Sequence, residues 1–521
     1  MTEDEMPENL NRKKASLLSL IACITLSLAA QKHDVVVKID GLGADTVYLA
    51  NYYGSRLFYN DTTVANPEGV FSFDGKEFDE CGKYAIVLPG PVYFDFMMVN
   101  EPMEFHTTLR NPQGDMKVVE SEENMVFYDY LRFINDLRKE RYIHDQVLND
   151  STSTEESVEA AKDAINKMTD RVRLRQLELT ENPKQYLFGK YLKMMNDIEI
   201  PDVPEGVEDG DLWTYMYYRN HFWDNVDLSD PRLVRDASFH NLIDRYWNKV
   251  LPPDPDTLYV EANKLLQQLD GNYHMFKYCL HHMTFESESS QVMCMDKVFV
   301  KLVAQYYATG RVDWLNEEQL SKIIERAGEL RHTMCGEVMH NVTLPGLDTQ
   351  KWHSLHDIES KYTLLAIWES TCGHCKKEMP ILQRIYEEWH DRGLEIYAIG
   401  NDFETEPWQE YLEGTDYANW IHVSDNPEVN AQDSAMALIQ SGVTDILSLN
   451  FRTTFDVFST PKLFLLDENK NILAKQVGAL QVAEMLYRRE GLDFPGENFF
   501  LSEEEIEKRK KKAEKEAKNG K

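Results

Sequence analysis

A chain of 521 residues is longer than one ordinary hydrophobic core serves, so roughly two to four domains are expected. With 42% hydrophobic and 11% aromatic residues the composition is globular, which excludes a wholly disordered chain. The formal charge of −34 excludes a nucleic-acid binder, which must neutralise phosphates, and argues against an anionic membrane surface as partner.

Residues 1–30 read as a signal peptide. Arg12, Lys13 and Lys14 precede the uncharged run ASLLSLIACITLSLAA (15–30), which ends in small residues and is followed by polar QKHD, so cleavage is expected after Ala29 or Ala30. The run is too short and too serine-rich for a spanning helix. The acidic stretch TEDEMPE ahead of the basic residues is atypical of such a segment. LIAC (20–23) is similar to a lipobox, which would make Cys23 a lipid anchor, but the apolar ITLSLAA after it is unlike a polar tether. Soluble export is the preferred reading.

From 31 to 120 the pattern has period two and is broken by Gly, Asn, Asp and Pro. DVVVKIDGL (34–42), DTVYLANYYG (45–54), GVFSFDG (69–75), GKYAIVLPG (82–90) and VYFDFMMVN (92–100) predict a β-sandwich domain without a catalytic constellation. From 121 to 334 apolar residues recur three and four apart, predicting a helical domain. Its helices are expected over 123–148, 157–179, 212–226, 231–251, 296–310 and 316–334, with prolines between them. The aromatic-rich segment LWTYMYYRNHFWDNV (212–226) is read as core packing rather than a binding surface. His281–His282 and the pair His353 and His356 lack further ligands for a metal.

From 335 to 495 the order becomes strand, helix, strand, helix, strand, strand, helix. YTLLAIWES (362–370) is nearly continuous in apolar residues, as a strand covered on both faces would be. GHCKKEMPILQRIYEEWHDRG (373–393) predicts a helix ending at Gly393, and LEIYAIGND (394–402) the next strand. PKLFLLDENKNILAKQVG (461–478) predicts two strands around a polar turn, and LQVAEMLYRREG (480–491) a closing helix. Residues 496–521 form a charged tail. The fold class is multidomain α+β.

Beyond the signal the cysteines are Cys81, Cys279, Cys294, Cys335, Cys372 and Cys375, too few for a disulfide scaffold in so long a chain. Only Cys372 and Cys375 form a C-x-x-C pair. Zinc would require two further ligands at sensible spacing, and no second C-x-x-C exists. A staple across so short a loop removes little unfolded-state entropy. A redox pair accounts for more of the residues. Ser370 and Thr371 are expected to cap the helix, which sets the Cys372 sulfur among free backbone N–H groups that favour thiolate. His374 adds charge or a hydrogen bond, and Cys375, one turn in, is placed to resolve a mixed disulfide.

Trp368, Cys372, Gly373, His374, Cys375, Glu378 and Pro380 spell W-x-x-x-C-G-H-C-x-x-E-x-P after a buried strand. This resembles the thioredoxin fold, and more specifically the exported thioredoxin-like proteins of the TlpA and ResA type. FSTPKLFLLDENKNILAK (458–475) is similar to that family's proline-containing strand pair, so the resemblance implies that Thr460–Pro461 is a cis peptide at the substrate-binding position beside the dithiol. VTLPGLDTQKWHSLHDI (342–358) resembles its N-terminal hairpin. The resemblance is strong over 335–495 and weaker over the preceding segments, which look like β-sandwich and helical domains found ahead of such modules.

It implies a periplasmic thiol–disulfide oxidoreductase in which Cys372 attacks and Cys375 resolves. Trp368, Glu369, Gly373, His374, Glu378 and Pro380 would support the site, with no cofactor or metal. Its partners would be protein disulfides and a membrane electron donor or acceptor, and no nucleic acid. Two departures bear on this. The buried aspartate of cytoplasmic thioredoxin is replaced by Ala366, leaving Glu369 or water to handle the Cys375 proton. Residues 426–455 look like inserted helical material, either a lid or packing against the helical domain. The spelling C-G-H-C resembles protein disulfide isomerases, which leaves an oxidase or isomerase direction open. A peroxidase of the peroxiredoxin type would carry proline and threonine where Leu365 and Glu369 stand. A cell-envelope binding module with an incidental dithiol is the alternative that is not an enzyme.

Overall fold

The computed structural model describes residues 35–519 except 75–79, 91, 348–350, 403 and 426. The signal segment and Cys23 lie outside the described residues. The chain divides into two compact units, one running to Val250 and including Gln268–Tyr278, the other made of Leu251–Gln267 and Cys279 onward.

The first unit opens with eight strands: β1 (Val35–Asp40), β2 (Thr46–Tyr53), β3 (Arg56–Val64), β4 (Val70–Phe73), β5 (Gly82–Leu88), β6 (Val92–Met98), β7 (Met103–Thr108) and β8 (Lys117–Glu120). They form two sheets, β4-β1-β7-β8 and β3-β2-β5-β6. Alternation drives this: Val35, Val37 and Ile39 are buried while Lys38 and Asp40 face solvent. Phe96 of β6 and Phe105 of β7 meet edge-on at 5.4 Å between ring centres, joining the sheets. β3, β7 and β8 fall outside the runs expected from the sequence; β3 is exposed almost throughout, so it carries no buried stripe to recognise.

Two long helices follow, Glu122–Asn149 and Glu155–Thr180, each capped by a side chain, from Ser121 and Thr154. The aromatic-rich segment departs from expectation. Its helix, Gly210–His221, buries no residue; Trp213, Tyr217 and His221 stack along its surface at 5.3 and 4.2 Å. Only Phe222 and Val226, past its end, are buried. The reason is spacing: residues four apart form one half-exposed stripe instead of a wide apolar face.

The second unit holds the helices Glu317–Leu330 and Asp296–Leu302 and the sheet that carries the dithiol. A hairpin of β9 (Thr343–Pro345) and β10 (Trp352–Ser354) precedes it, as expected. β11 (Tyr362–Trp368) is the central strand, buried at every position, in a five-stranded sheet. β12 (Leu394–Gly400) pairs parallel with β11, and β13 (Ile421–Ser424) pairs parallel with β12. β14 (Lys462–Asp467) pairs antiparallel with β11, and β15 (Ile472–Lys475) with β14. Both faces are covered, which is why β11 reads as an unbroken apolar run. One face packs on the helices Cys375–Trp389 and Ala479–Arg489, with Met379, Leu382, Ile385, Val482 and Leu486 fully buried. The other receives Leu449, Phe451 and Phe455 from the inserted segment, which is thus packing for the sheet itself. Phe500 and Leu501 also belong to the first of these cores. Among the described residues no helix is long and apolar enough to cross a membrane.

Candidate active site

The cysteine pair sits where β11 ends and the next helix begins. That helix is Cys375–Trp389 with His374 at its N-cap, so Ser370 and Thr371 do not cap it. Ser370 is instead buried, and both its N–H and its hydroxyl donate to the carboxylate of Asp402 beyond β12. A serine ahead of an apolar helix is a cap signal in sequence, but here a tertiary acceptor takes the hydroxyl. The bend through Thr371–His374 still turns backbone donors toward Cys372, and Lys376 N–H bonds back to the Cys372 carbonyl at 3.1 Å.

The two thiols are unlike. Cys372 is part-exposed and donates to the Thr460 carbonyl at 3.3 Å. Burial pushes its thiol up, but hydrogen bonds from the Thr460 hydroxyl and from the backbone N–H groups of Cys375 and His374 outweigh it and hold it below the ordinary value. Cys375 is fully buried against Met379 and Trp368. Burial pushes its thiol up to about 12, against the opposing backbone N–H of Glu369. Glu369 therefore meets Cys375 through its backbone. Its carboxylate is taken by the Asn401 side chain.

Other residues singled out in the sequence find distinct places. Trp368 is buried beneath the pair, its ring 5.6 Å from that of Tyr411. Gly373 has ordinary backbone angles, and a Cβ there would meet nothing within 4 Å, so the approach to Cys372 is open. Glu378 borders the groove beside the pair and accepts the Ala479 N–H at 2.7 Å. Pro380 lies inside the helix, one turn past Cys375. The Thr460–Pro461 peptide is cis, as the resemblance implied.

Beside the pair runs a groove of about 390 Å³ lined by His374, Phe458, Pro461, Lys462, Gln476 and Val477. Its floor holds a charge cluster that the sequence did not announce. Asp456 is buried and binds Lys462 Nζ at 3.1 Å and Arg326 Nη1 at 2.5 Å. Arg326 is 130 residues upstream of Asp456, so no local spacing could reveal the contact. A second unannounced feature is the disulfide Cys294–Cys335. Among the described residues the remaining cysteines, Cys81 and Cys279, are buried thiols whose ionisation burial opposes.

A dithiol at the end of a central strand, one sulfur exposed and one buried, facing a cis-proline loop, defines the C-terminal part as a thioredoxin-like domain. Residues 335–475 match the AhpC/TSA family, and residues 149–329 match a domain of unknown function (DUF5106). The thiol-disulfide oxidoreductase ResA of Oceanobacillus iheyensis is 42% identical over 48 residues, which are 9% of this chain and 25% of that one. ResA of Bacillus cereus is 26% identical over 143 residues, 27% of this chain and 69% of that one. A crystal structure of a thioredoxin-like protein from Bacteroides caccae aligns over 56% of this chain and 99% of that one, with 17% identity and a TM-score of 0.40. The chain is therefore similar to the ResA type in its C-terminal part and carries additional N-terminal domains.

Proposed function

We propose that this chain is an exported thiol–disulfide oxidoreductase of protein disulfides. The observation that carries the reading is the asymmetry of the pair: Cys372 is accessible and favoured as thiolate, while Cys375 is buried and held as thiol. Thiolate attack needs both charge and access, and Cys372 has both.

In the reducing direction the Cys372 thiolate attacks a substrate disulfide. A bond forms between Cys372 and one substrate sulfur, and the other leaves as thiolate and takes a proton. Cys375 then attacks the Cys372 sulfur, its proton passing to the second departing thiolate. The substrate gains two electrons and the enzyme pair becomes a disulfide, so a dithiol donor must restore it. Run backwards, the same steps oxidise a substrate dithiol. Trp368 supports the pair from below, Gly373 leaves its approach open, and Thr460 and Pro461 border the docking position. Glu369 and His374 supply backbone donors, while Glu378 and Pro380 shape the helix. The periplasm is the compartment that suits the signal-like segment 1–30, with a membrane protein as the electron partner.

Cys372→Ser is expected to abolish reduction of a protein disulfide outright. Cys375→Ser should still attack and accumulate a covalent mixed disulfide, visible as a mass increase that dithiothreitol removes. Full turnover by Cys372→Ser would end this reading, and a wild-type protein that reduces no disulfide would favour the binding-module alternative.

A further inference from the structure

The groove beside the dithiol is bounded by the loop that leads into Thr460–Pro461, and the most prominent side chain of that loop is Phe458. It is 81% exposed, the highest value among the large hydrophobic residues described as exposed. An aromatic ring so exposed is normally free to swing, but a cation lies over this one. The Arg326 guanidinium lies 5.2 Å from the ring centre. Arg326 is fixed in turn by Glu329 at 3.0 Å and by Asp456, whose other bond runs to Lys462. Asp456 itself sits in the left-handed region at φ 53, which sets the turn that presents Phe458.

Of the ionisable groups lining the groove, the carboxylates and the lysine are engaged with the protein, and His374 is exposed at its edge. Asp456 and Lys462 bind each other, and Glu378 accepts the Ala479 N–H. The apolar surfaces of Phe458, Pro461 and Val477 remain for an incoming group to cover.

We propose that Phe458, faced by the Arg326 guanidinium, selects polypeptide disulfides whose cysteine is flanked by an apolar side chain. This deepens, and rests on, the thiol–disulfide reading above. It also gives the helix Glu317–Leu330, which precedes the thioredoxin-like domain, a part in substrate choice.

The test uses the full-length, pre-reduced protein and two short peptides, each carrying a cysteine–thionitrobenzoate mixed disulfide and differing only in Leu or Ser next to the cysteine. Thionitrobenzoate release in a single turnover gives the rate constants, with the same mixed disulfide of free cysteine as a third probe. The wild type is expected to prefer the Leu peptide by about tenfold, the scale on which apolar pockets discriminate. Phe458→Ala should bring the two peptide rates to near equality. Arg326→Lys keeps the charge for Asp456 but loses the planar stacking surface, so it should lower the ratio in part. A preference that survives in Phe458→Ala overturns the proposal. An unchanged ratio in Arg326→Lys overturns the part given to the helix. A wild-type protein that fails to react even with the free-cysteine probe overturns the underlying reading instead.

Discussion

Cys372 and Cys375 are three positions apart, yet the fold separates their chemistry. The first sits among donors at the start of a helix, and the second is sealed under the sheet. A lowered thiol value means that the thiolate persists to lower pH. Alkylation of Cys372 by iodoacetamide should therefore reach half its maximal rate at a lower pH than that of free cysteine does. Cys375, pushed up to about 12, should stay unmodified at neutral pH in the reduced protein. Peptide mapping after brief alkylation distinguishes the two, and equal labelling would remove the asymmetry on which the mechanism depends. The pair and its difference in exposure were legible in the sequence, because C-x-x-C before a helix fixes which sulfur is outermost. Its surroundings were not. Asp402, which holds Ser370, and Arg326, which holds Asp456, reach the site through tertiary contacts across 32 and 130 residues. A charged residue in a sequence announces no partner at such range.

The helices around the site show why some boundaries could be read and others could not. The end of the dithiol helix was legible: Gly393 has φ 94 and closes the turn His390–Arg392. Its start was not, because Ser370 donates to Asp402 instead of accepting a backbone N–H of the helix. The closing helix Ala479–Arg489 starts at Gly478, which has no side chain to cap it. Glu378, on the dithiol helix, supplies the missing acceptor to Ala479 N–H at 2.7 Å and sets a carboxylate at the helix's positive end. Glu378→Ala should thus destabilise the protein by about 0.5–2 kcal/mol, the range for losing a helix cap, with Glu378→Gln retaining part of the loss. Urea denaturation of the two variants measures this. A midpoint unchanged in Glu378→Ala would mean that the contact contributes nothing. Among the strands, the buried alternation of β1 and the apolar run of β11 were readable. β3 offered no such stripe, since a solvent-facing strand owes its place to its neighbour's hydrogen bonds alone.

The second compact unit joins the helical residues from Cys279 onward to the thioredoxin-like sheet. Two links, neither visible in sequence, bind these parts. The disulfide Cys294–Cys335 closes a separation of 41 residues, and in the chain-entropy account its loss costs roughly 4 kcal/mol. Cys294→Ser should lower the melting temperature accordingly, and no change would show that the bridge constrains little in the unfolded chain. The other link lies beside it. Lys475, on β15, has a side chain 2% exposed; its ammonium is bound by Asp296, two residues past Cys294, and by the Thr333 hydroxyl, two residues before Cys335, at 3.2 Å. Burial lowers the ammonium's proton affinity, and Asp296 opposes that. Removing one partner of a buried pair leaves the other charge uncompensated, so Asp296→Asn should cost about 3–5 kcal/mol. Lys475→Met should cost less, because Asp296 keeps a side-chain exposure of 14% and some water. The pH dependence separates this from simple loss of packing. In Asp296→Asn the folded state binds the Lys475 proton more weakly than the unfolded chain does, whose lysines titrate near 10.4. Between those two values the unfolded state holds more protons, so stability rises with pH. The deficit of Asp296→Asn relative to wild type should therefore narrow as pH is raised from 7 toward 10. Denaturation midpoints across that range measure it, and a deficit constant with pH would mean that the lost energy is not that of a buried, unpaired ammonium.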